Sequence, residues 1–167
     1  MKIISVVGFH HSGKTTTCEY LIKYIRNKGF TVSTIKDIHN ENFTMETVGS
    51  NSYRHLVASG TAVFARSKTE TYLIWQKMLS LHEMLAHLDT DYVIIEGHID
   101  KSLPCIISAK TSDDVDSFMT EKVIAITGQF SENVKEYNGI VCANAMYDGD
   151  KLGDFIYSLL NISDITS

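Results

Sequence analysis

The chain has 167 residues, of which 44% are hydrophobic and 21% are charged, a composition typical of a globular protein with one core. The formal net charge is -5, which argues against a general nucleic-acid-binding protein, because neutralising phosphates requires a basic face. The sequence has no run of Lys and Arg that would indicate a membrane-binding patch. We therefore expect a single domain over residues 1–167, with neither nucleic acid nor membrane as a partner.

The cysteines and the N-terminus both indicate a cytoplasmic protein. Cys18, Cys105 and Cys142 lie far apart and are odd in number, so we expect reduced core residues rather than disulfides. The apolar run that precedes Gly8 is too short for the core of a signal peptide and for a membrane span.

Hydrophobic periodicity and β-branched runs divide the chain into strands and helices. Gly29 and Gly60 follow two of the helical segments, at positions typical of helix ends. In chain order, the predicted elements are a strand at 2–7, a helix at 14–28, a strand at 31–36, a loop at 37–50, a helix at 52–59, strands at 62–65 and 71–75, a helix at 76–88, strands at 92–96, 105–109, 123–127 and 140–143, and a closing helix at 152–160.

The order of these elements predicts an α/β fold. Strands and helices alternate at both ends of the chain, and the strands are apolar on both faces, which is typical of a mostly parallel sheet covered by helices in three α/β/α layers. The strands at 62–65 and 71–75 are expected to pair across Ser67 and Lys68 as an added antiparallel pair.

Residues 8–15, GFHHSGKT, match the phosphate-binding loop pattern G-x-x-x-x-G-K-[ST], between a predicted strand and a predicted helix. Glycines let the backbone curl so that successive N–H groups point at phosphate oxygens, and the helix adds its positive end. Lys14 is expected to reach the β- and γ-phosphates, and the Thr15 hydroxyl to ligate Mg²⁺. The predicted nucleotide-binding residues are Gly8, His10, His11, Ser12, Gly13, Lys14, Thr15 and Thr16.

The adjacent His10 and His11 raise the alternative of a metal site. They occupy variable positions of the loop, where the backbone amides matter more than the rings, although the rings remain candidates for contact with the nucleotide or a partner. His82 and His87 come close to a zinc-protease helix, but that motif needs histidines four apart, and these are five apart. The remaining histidines are isolated in the sequence, so no zinc site is expected: His39, His55 and His98.

A P-loop enzyme also needs a carboxylate near Mg²⁺ and the attacking water, at the end of a neighbouring strand. The segment YVIIE at 92–96 supplies Glu96, so Glu96 and Lys14 are the predicted catalytic residues. Lys36 and Asp37 end another strand and are expected at the same rim, because ligands gather at the carboxyl ends of parallel strands. The predicted Mg²⁺ ligands are Thr15, Asp37 and Glu96.

Two features of the segment after Lys36 bear on nucleotide binding. Arg54, in the predicted helix at 52–59, either binds phosphate or pairs with surface carboxylates. The polar loop at 37–50 is expected to order when nucleotide binds, as switch segments do.

Taken together, these motifs resemble the molybdopterin-guanine dinucleotide biosynthesis protein B family (MobB). The matching residues are GFHHSGKTT at 8–16, TIK at 34–36, SYRH at 52–55 with Gly60 after it, and VIIEG at 93–97. The resemblance implies a P-loop NTPase fold, GTP binding with Mg²⁺, weak GTP hydrolysis and a homodimer formed partly by residues 62–75. It also implies a supporting role beside the guanylyltransferase that attaches GMP to molybdopterin.

The sequence departs from the family pattern after TIK, before SYRH and after the Glu-Gly pair, where it has Asp37, Ser50-Asn51 and His98. The Asn-Lys-x-Asp signature of guanine-binding GTPases is absent, and residues 144–148, NAMYD, echo it only loosely.

Three functions therefore remain open. The first is a slow GTPase that assists molybdenum-cofactor assembly, and the second is a nucleotide-dependent adaptor whose bound state is the output. The third is a small-molecule kinase, although kinases of this size carry an arginine-rich lid and Arg26, Arg54 and Arg66 are not clustered in the sequence.

Overall fold

The structure, a computed structural model, describes residues 1–40, 42–97 and 99–162, so the departure at His98 lies outside the described residues. The described residues up to Asp37 and from Leu88 onward form one compact unit, and Ile38–His87 forms a second. The single-domain organisation expected from the length stays a prediction.

Strands and helices alternate as the sequence predicts. The strands are β1 (Lys2–Val7), β2 (Val32–Lys36), β3 (Ala62–Arg66), β4 (Thr71–Trp75), β5 (Tyr92–Glu96), β6 (Cys105–Ser108), β7 (Val123–Thr127), β8 (Glu136–Tyr137) and β9 (Ile140–Val141). The helices are α1 (Lys14–Asn27), α2 (Asn51–Ser59), α3 (Leu81–Leu85), α4 (Ser112–Phe118) and α5 (Gly149–Ile162), with a short 3-10 helix at Gln129–Glu132. The described residues of 37–50 form the predicted loop.

The first unit is built on a five-stranded sheet in the order β2-β5-β1-β6-β7, and every neighbouring pair is parallel. The central strands are buried on both faces, which explains their continuous apolar runs. The register pairs Glu96 with Lys36 on one side and with Val6 on the other. The carboxyl ends of β2, β5 and β1 therefore lie side by side.

Helices cover both faces of this sheet. On one face, Leu21 and Ile25 of α1 and Leu152 and Ile156 of α5 pack in a common core with β-strand residues such as Ile94. On the other face, Val115 of α4 packs with buried residues of β6 and β7 such as Ile107 and Ile126. The predicted three-layer α/β/α arrangement is therefore confirmed.

Helices α1 and α5 contact each other closely through glycine and tyrosine. A Cβ at Gly153 would lie 2.4 Å from Cδ2 of Tyr24, so the ring rests on the backbone of α5. The Tyr24 hydroxyl donates to Asp154, and the Tyr20 hydroxyl donates to Asp150 over 3.3 Å.

The predicted buried cysteines are also confirmed, since Cys18, Cys105 and Cys142 are buried free thiols. Burial raises the pKa of the Cys18 thiol to about 12, so this group is neutral at physiological pH. Within the described part of the chain, no helix is both long and apolar enough to cross a membrane.

The second unit contains α2, the antiparallel pair β3–β4 and α3. The pairing runs from Ala62 opposite Trp75 to Arg66 opposite Thr71, and the Ser67 amide donates to the Glu70 carbonyl over 2.8 Å in the connecting turn. The predicted antiparallel pair is confirmed.

Helix α3 is shorter than the predicted helix at 76–88, because Ser80 fixes its start. The Ser80 hydroxyl accepts a hydrogen bond from the Glu83 amide, and the Glu83 carboxylate accepts one from the Ser80 amide. This capping box places residues 76–80 outside the helix.

The predicted strand at 140–143 is confirmed only in part, as the two-residue strand β9. Ile140 and Val141 pair with β8 in a hairpin. The chain then meets the main sheet through an isolated parallel bridge between Cys142 and Ile126, where the Ala143 amide donates to the Ile126 carbonyl over 2.9 Å. The turn is Asn138-Gly139, with φ of 51° and 78°, and this dipeptide favours a tight hairpin turn.

Helix α4 and the 3-10 helix were not predicted. The reciprocal hydrogen bonds of Thr111 and Asp114 at the start of α4 form a capping box, a sequence pattern that could have revealed the helix.

Candidate functional site

Residues 8–13 form a tightly curled loop between β1 and α1. The φ of Gly8 is 146°, which favours glycine, and a Cβ there would lie 2.1 Å from the Ser108 carbonyl oxygen and 2.8 Å from Ser12 Oγ. His11 adopts a left-handed φ of 57°. The loop thus has the close backbone packing that lets main-chain N–H groups converge on an anion.

The ends of two other strands support this loop. Ser108, at the end of β6, donates a buried hydrogen bond of 2.8 Å from Oγ to the carbonyl oxygen of Ser12. Gly128, just after β7, lies so close that a Cβ there would be 2.8 Å from the same oxygen. The curled conformation is therefore held by contacts distant in sequence as well as by its own glycines.

Ser12 carries a buried hydroxyl that lacks a hydrogen-bond partner among the described residues. Such a group costs free energy unless something satisfies it, and in native proteins these exceptions often mark a ligand or water site. This orphaned hydroxyl in the loop fits the binding of a polar ligand.

Helix α1 begins at the loop with Gly13 as its N-cap, and within the described structure no side chain caps this end. Its first-turn amides are therefore open to an anion. The Lys14 Nζ folds back and donates to the Phe9 carbonyl over 2.7 Å. Burial is the main cause that lowers the pKa of Lys14 below its ordinary value; Glu96 opposes this, and Lys36 adds to it.

The predicted carboxylate lies directly beside the loop threonine. Thr15 Oγ1 donates to Glu96 Oε1 over 2.9 Å, and Lys36 Nζ donates to the same oxygen over 2.6 Å. The Glu96 side chain is 14% exposed and that of Lys36 is 54% exposed. The structure therefore brings together Thr15, Lys36 and Glu96, as the sequence predicts.

Asp37 lies at the same edge of the sheet. Its amide donates to the Glu96 carbonyl over 2.9 Å, and its side chain packs against Gly97, where a Cβ would be 2.5 Å from the Asp37 Cβ. Thr15 and Glu96 thus place a hydroxyl and a carboxylate oxygen 2.9 Å apart, and Asp37 adds a second carboxylate at the same edge of the sheet; hydroxyl and carboxylate oxygens are the donors that Mg²⁺ prefers.

These oxygens fit a metal that is shared with a nucleotide rather than one held by protein alone. Among the residues that the structure describes, no group of three or more His, Cys, Asp or Glu side chains is placed to hold a metal ion. Mg²⁺ at nucleotide sites commonly uses one or two carboxylates together with phosphate oxygens and waters.

The remaining predicted residues differ in position. The rings of His10 and His11 are exposed, with centroids 3.9 Å apart and a 52° tilt. Thr16 is exposed in the first turn of α1, and Arg54 is exposed on α2 in the second unit. Their roles in binding stay predictions.

The possible base-reading segment at 144–148 is engaged in its own structure. Asn144 is 5% exposed; its Nδ2 donates to the Gly128 carbonyl over 3.0 Å, and its Oδ1 accepts from the Met146 amide over 2.9 Å. The Asp148 carboxylate accepts from Lys135 over 2.9 Å, which lowers its pKa. Asn144 therefore links this segment to the strand end that supports the loop.

Sequence reasoning missed Ser108 and Gly128. Ser108 could have been found from its place at the end of the apolar run CIIS at 105–108, because polar residues at the carboxyl ends of parallel strands gather at one edge of the sheet.

The fold is that of a P-loop NTPase. A glycine loop joins β1 to α1 beside a parallel sheet, and Thr15 after this loop contacts Glu96 at the end of the neighbouring strand β5. A model of the family described as molybdopterin guanine dinucleotide synthesis protein B, MobB, matches residues 3–129. The chain belongs to this family.

Relatives with assigned names support the same family. A Bacillus subtilis protein named as a probable molybdopterin-guanine dinucleotide biosynthesis adapter protein is 25% identical over 163 residues, which cover 95% of this chain and 92% of the relative. The Haemophilus influenzae molybdopterin-guanine dinucleotide biosynthesis adapter protein is 28% identical over 110 residues, 63% of this chain and 61% of that protein.

Solved structures have the same fold. The crystal structure of Bacillus subtilis MobB has a TM-score of 0.77 and 24% identity, covering 96% of this chain and 98% of that chain. A MobB homologue from Bacillus stearothermophilus has a TM-score of 0.73 and 19% identity, covering 97% and 99%.

Proposed function

We propose that this chain binds GTP with Mg²⁺, hydrolyses it slowly, and acts as an adapter in the synthesis of molybdopterin guanine dinucleotide. The observation that carries the proposal is the supported glycine loop with Thr15 hydrogen-bonded to Glu96 at its exit. The adapter role comes from the names of the relatives.

In this proposal, the main chain of residues 8–16 and the Ser12 hydroxyl receive the phosphates. Lys14 exchanges the neutral Phe9 carbonyl for β- and γ-phosphate oxygens, and a charge-assisted hydrogen bond is roughly twice as strong as a neutral one. His10 and His11 contact the nucleotide or a partner from the outer side of the loop.

Thr15 and Glu96, with Asp37 beside them, are the residues that would hold Mg²⁺. When bound, the ion neutralises charge that develops on the transferred phosphoryl group. Glu96 also orients the attacking water. Turnover is expected to be slow because the first unit offers no nearby arginine: Arg26 lies in the last turn of α1, at the end opposite the loop.

We also propose a homodimer that uses β3 and β4. Phe64 is 71% exposed and Tyr72 52% exposed, and a two-stranded sheet with an open edge is stabilised when another strand or chain covers it. Light scattering should give a dimer mass, which a Phe64→Lys variant reduces towards that of the monomer. A monomeric wild type would contradict this part of the proposal.

Titration of fluorescent GTP and ATP in the presence of Mg²⁺ tests the binding proposal. GTP should bind more tightly than ATP, and Lys14→Ala should lose about 1.5–3 kcal/mol, or tenfold or more. Lys23→Ala is the matched control, because it removes the same charge from an exposed position of α1.

The outcomes separate the components of this proposal. Tighter binding of ATP would overturn guanine specificity, and binding of neither nucleotide would overturn the whole proposal. If GTP binds but is not hydrolysed over hours, the nucleotide-dependent adaptor without hydrolysis is the correct function.

A further inference from the structure

Two donors share one oxygen of Glu96. Thr15 Oγ1 lies 2.9 Å from Oε1 and Lys36 Nζ lies 2.6 Å from it. The threonine of a P-loop is a Mg²⁺ ligand, so an ion bound between Thr15 and Glu96 would meet the Lys36 ammonium at the same oxygen. Two cations at one carboxylate oxygen repel each other strongly.

Lys36 is able to leave this position. Its side chain is 54% exposed, and the four methylene groups of a lysine let the ammonium swing without backbone movement. Its backbone is fixed, because Lys36 ends β2 in direct register with Glu96. The ammonium therefore stays near the phosphate site even when it leaves Glu96.

We propose that Lys36 distinguishes nucleoside triphosphates from diphosphates. Without nucleotide, its ammonium neutralises Glu96. With a triphosphate, Lys36 moves to the terminal phosphate, and Glu96 and Thr15 would then be free to hold Mg²⁺. A diphosphate gives the displaced ammonium no such partner, so Lys36 stays on Glu96 and opposes the metal. This inference rests on the proposed nucleotide binding and adds the residue that selects the triphosphate.

The first test compares GTP and GDP affinities, each with Mg²⁺, for wild type and Lys36→Met. Wild type should prefer GTP, and Lys36→Met should reduce the GTP-to-GDP affinity ratio at least about tenfold, the loss of one charge-assisted contact. Lys122→Met is the control: it removes the same charge from a lysine whose ammonium pairs with its chain neighbour Glu121 over 3.3 Å. Lys36→Arg should retain most of the preference.

The second test measures Mn²⁺ binding to the GDP-bound protein by electron paramagnetic resonance, because Lys36 is expected to stay on Glu96 in that state. Removal of the competing ammonium should tighten Mn²⁺ binding about tenfold in Lys36→Met and leave Lys122→Met unchanged. An unchanged Mn²⁺ affinity in Lys36→Met would overturn the competition between lysine and metal.

Failure of this inference differs from failure of the proposed function. If wild type binds neither GTP nor GDP, both are wrong. If wild type binds them and Lys36→Met keeps the same ratio, only the role of Lys36 is wrong. Melting curves for Lys36→Met and Lys36→Gln check folding, and if neither folds, Lys36 is a structural residue and the inference is overturned.

Discussion

The two units of the chain use glycine differently. At the carboxyl edge of the five-stranded sheet, a Cβ at Gly8 would lie 2.1 Å from the Ser108 carbonyl oxygen, and a Cβ at Gly97 would lie 2.5 Å from the Asp37 Cβ. In the second unit, Gly49 and Gly60 have φ of 88° and 64°, but an added Cβ would have no described heavy atom within 4 Å beyond the glycine and its two chain neighbours. The candidate site therefore requires small residues for space, whereas the second unit requires them for backbone conformation alone.

The polar contacts of the two units also differ, in how far they are buried. The Ser108–Ser12 hydrogen bond is buried, whereas Lys77 and Glu83 form an ion pair whose side chains are 57% and 45% exposed. Breaking a buried hydrogen bond lowers the free energy of unfolding more than breaking an exposed ion pair does. Substitutions at the carboxyl edge of the sheet should therefore lower the free energy of unfolding more than matched substitutions in the second unit.

The largest difference is expected for glycine. Gly8→Ala should lower the free energy of unfolding by roughly 2–6 kcal/mol, because backbone strain and overpacking each cost about 1–3 kcal/mol, and it should abolish GTP binding. Gly60→Ala, at a left-handed helix end, should cost only about 1–2 kcal/mol. Denaturant unfolding of both variants is the measurement, and equal losses would contradict the proposed difference.

A smaller effect is expected at Ser108. Ser108→Ala leaves the buried Ser12 carbonyl without its donor and should cost about 1–3 kcal/mol of unfolding free energy, with weaker GTP binding as the loop relaxes. Ser59→Ala, at the exposed end of α2 in the second unit, removes hydrogen bonds of 3.1 Å and 3.3 Å to the Leu56 and Ala62 carbonyls and should change stability by about 0.5 kcal/mol or less. A Ser108→Ala protein with wild-type stability and affinity would show that the loop holds its shape unaided.

The smallest effect on stability is expected at Glu83, which is best followed through its titration. The hydrogen bond from Lys77, followed by those from Ser80, lowers the pKa of Glu83 to about 2. Its folded pKa is below the ordinary value, so its stabilising contribution is present above pH 4.5 and is lost as the pH falls through about 2. Carbon NMR titration should show this low midpoint, and Lys77→Met should move it upward; an ordinary midpoint in wild type would mean that the pair does not persist in solution.

Some features follow from short stretches of sequence. The loop that begins at Gly8 lies between a strand and a helix as predicted, because its pattern is contained in eight consecutive residues. Strand β5 was predicted because four successive apolar residues are buried in it. Predictions differed from the structure where another local feature dominated. Ser80 shortened α3, and the turn at Asn138-Gly139 paired Ile140 and Val141 with β8 in a hairpin.

The sequence by itself determined the match to the phosphate-binding loop pattern, the parallel α/β class and the strand that ends at Glu96, since periodicity and motifs are properties of neighbouring residues. Tertiary structure alone decided that Ser108 supports a loop residue 96 positions away and that Lys36 pairs with Glu96 across 60 positions. Spacing along a chain gives no distance between the ends of separate strands. That distance is set by the order β2-β5-β1-β6-β7 and by the register of the sheet.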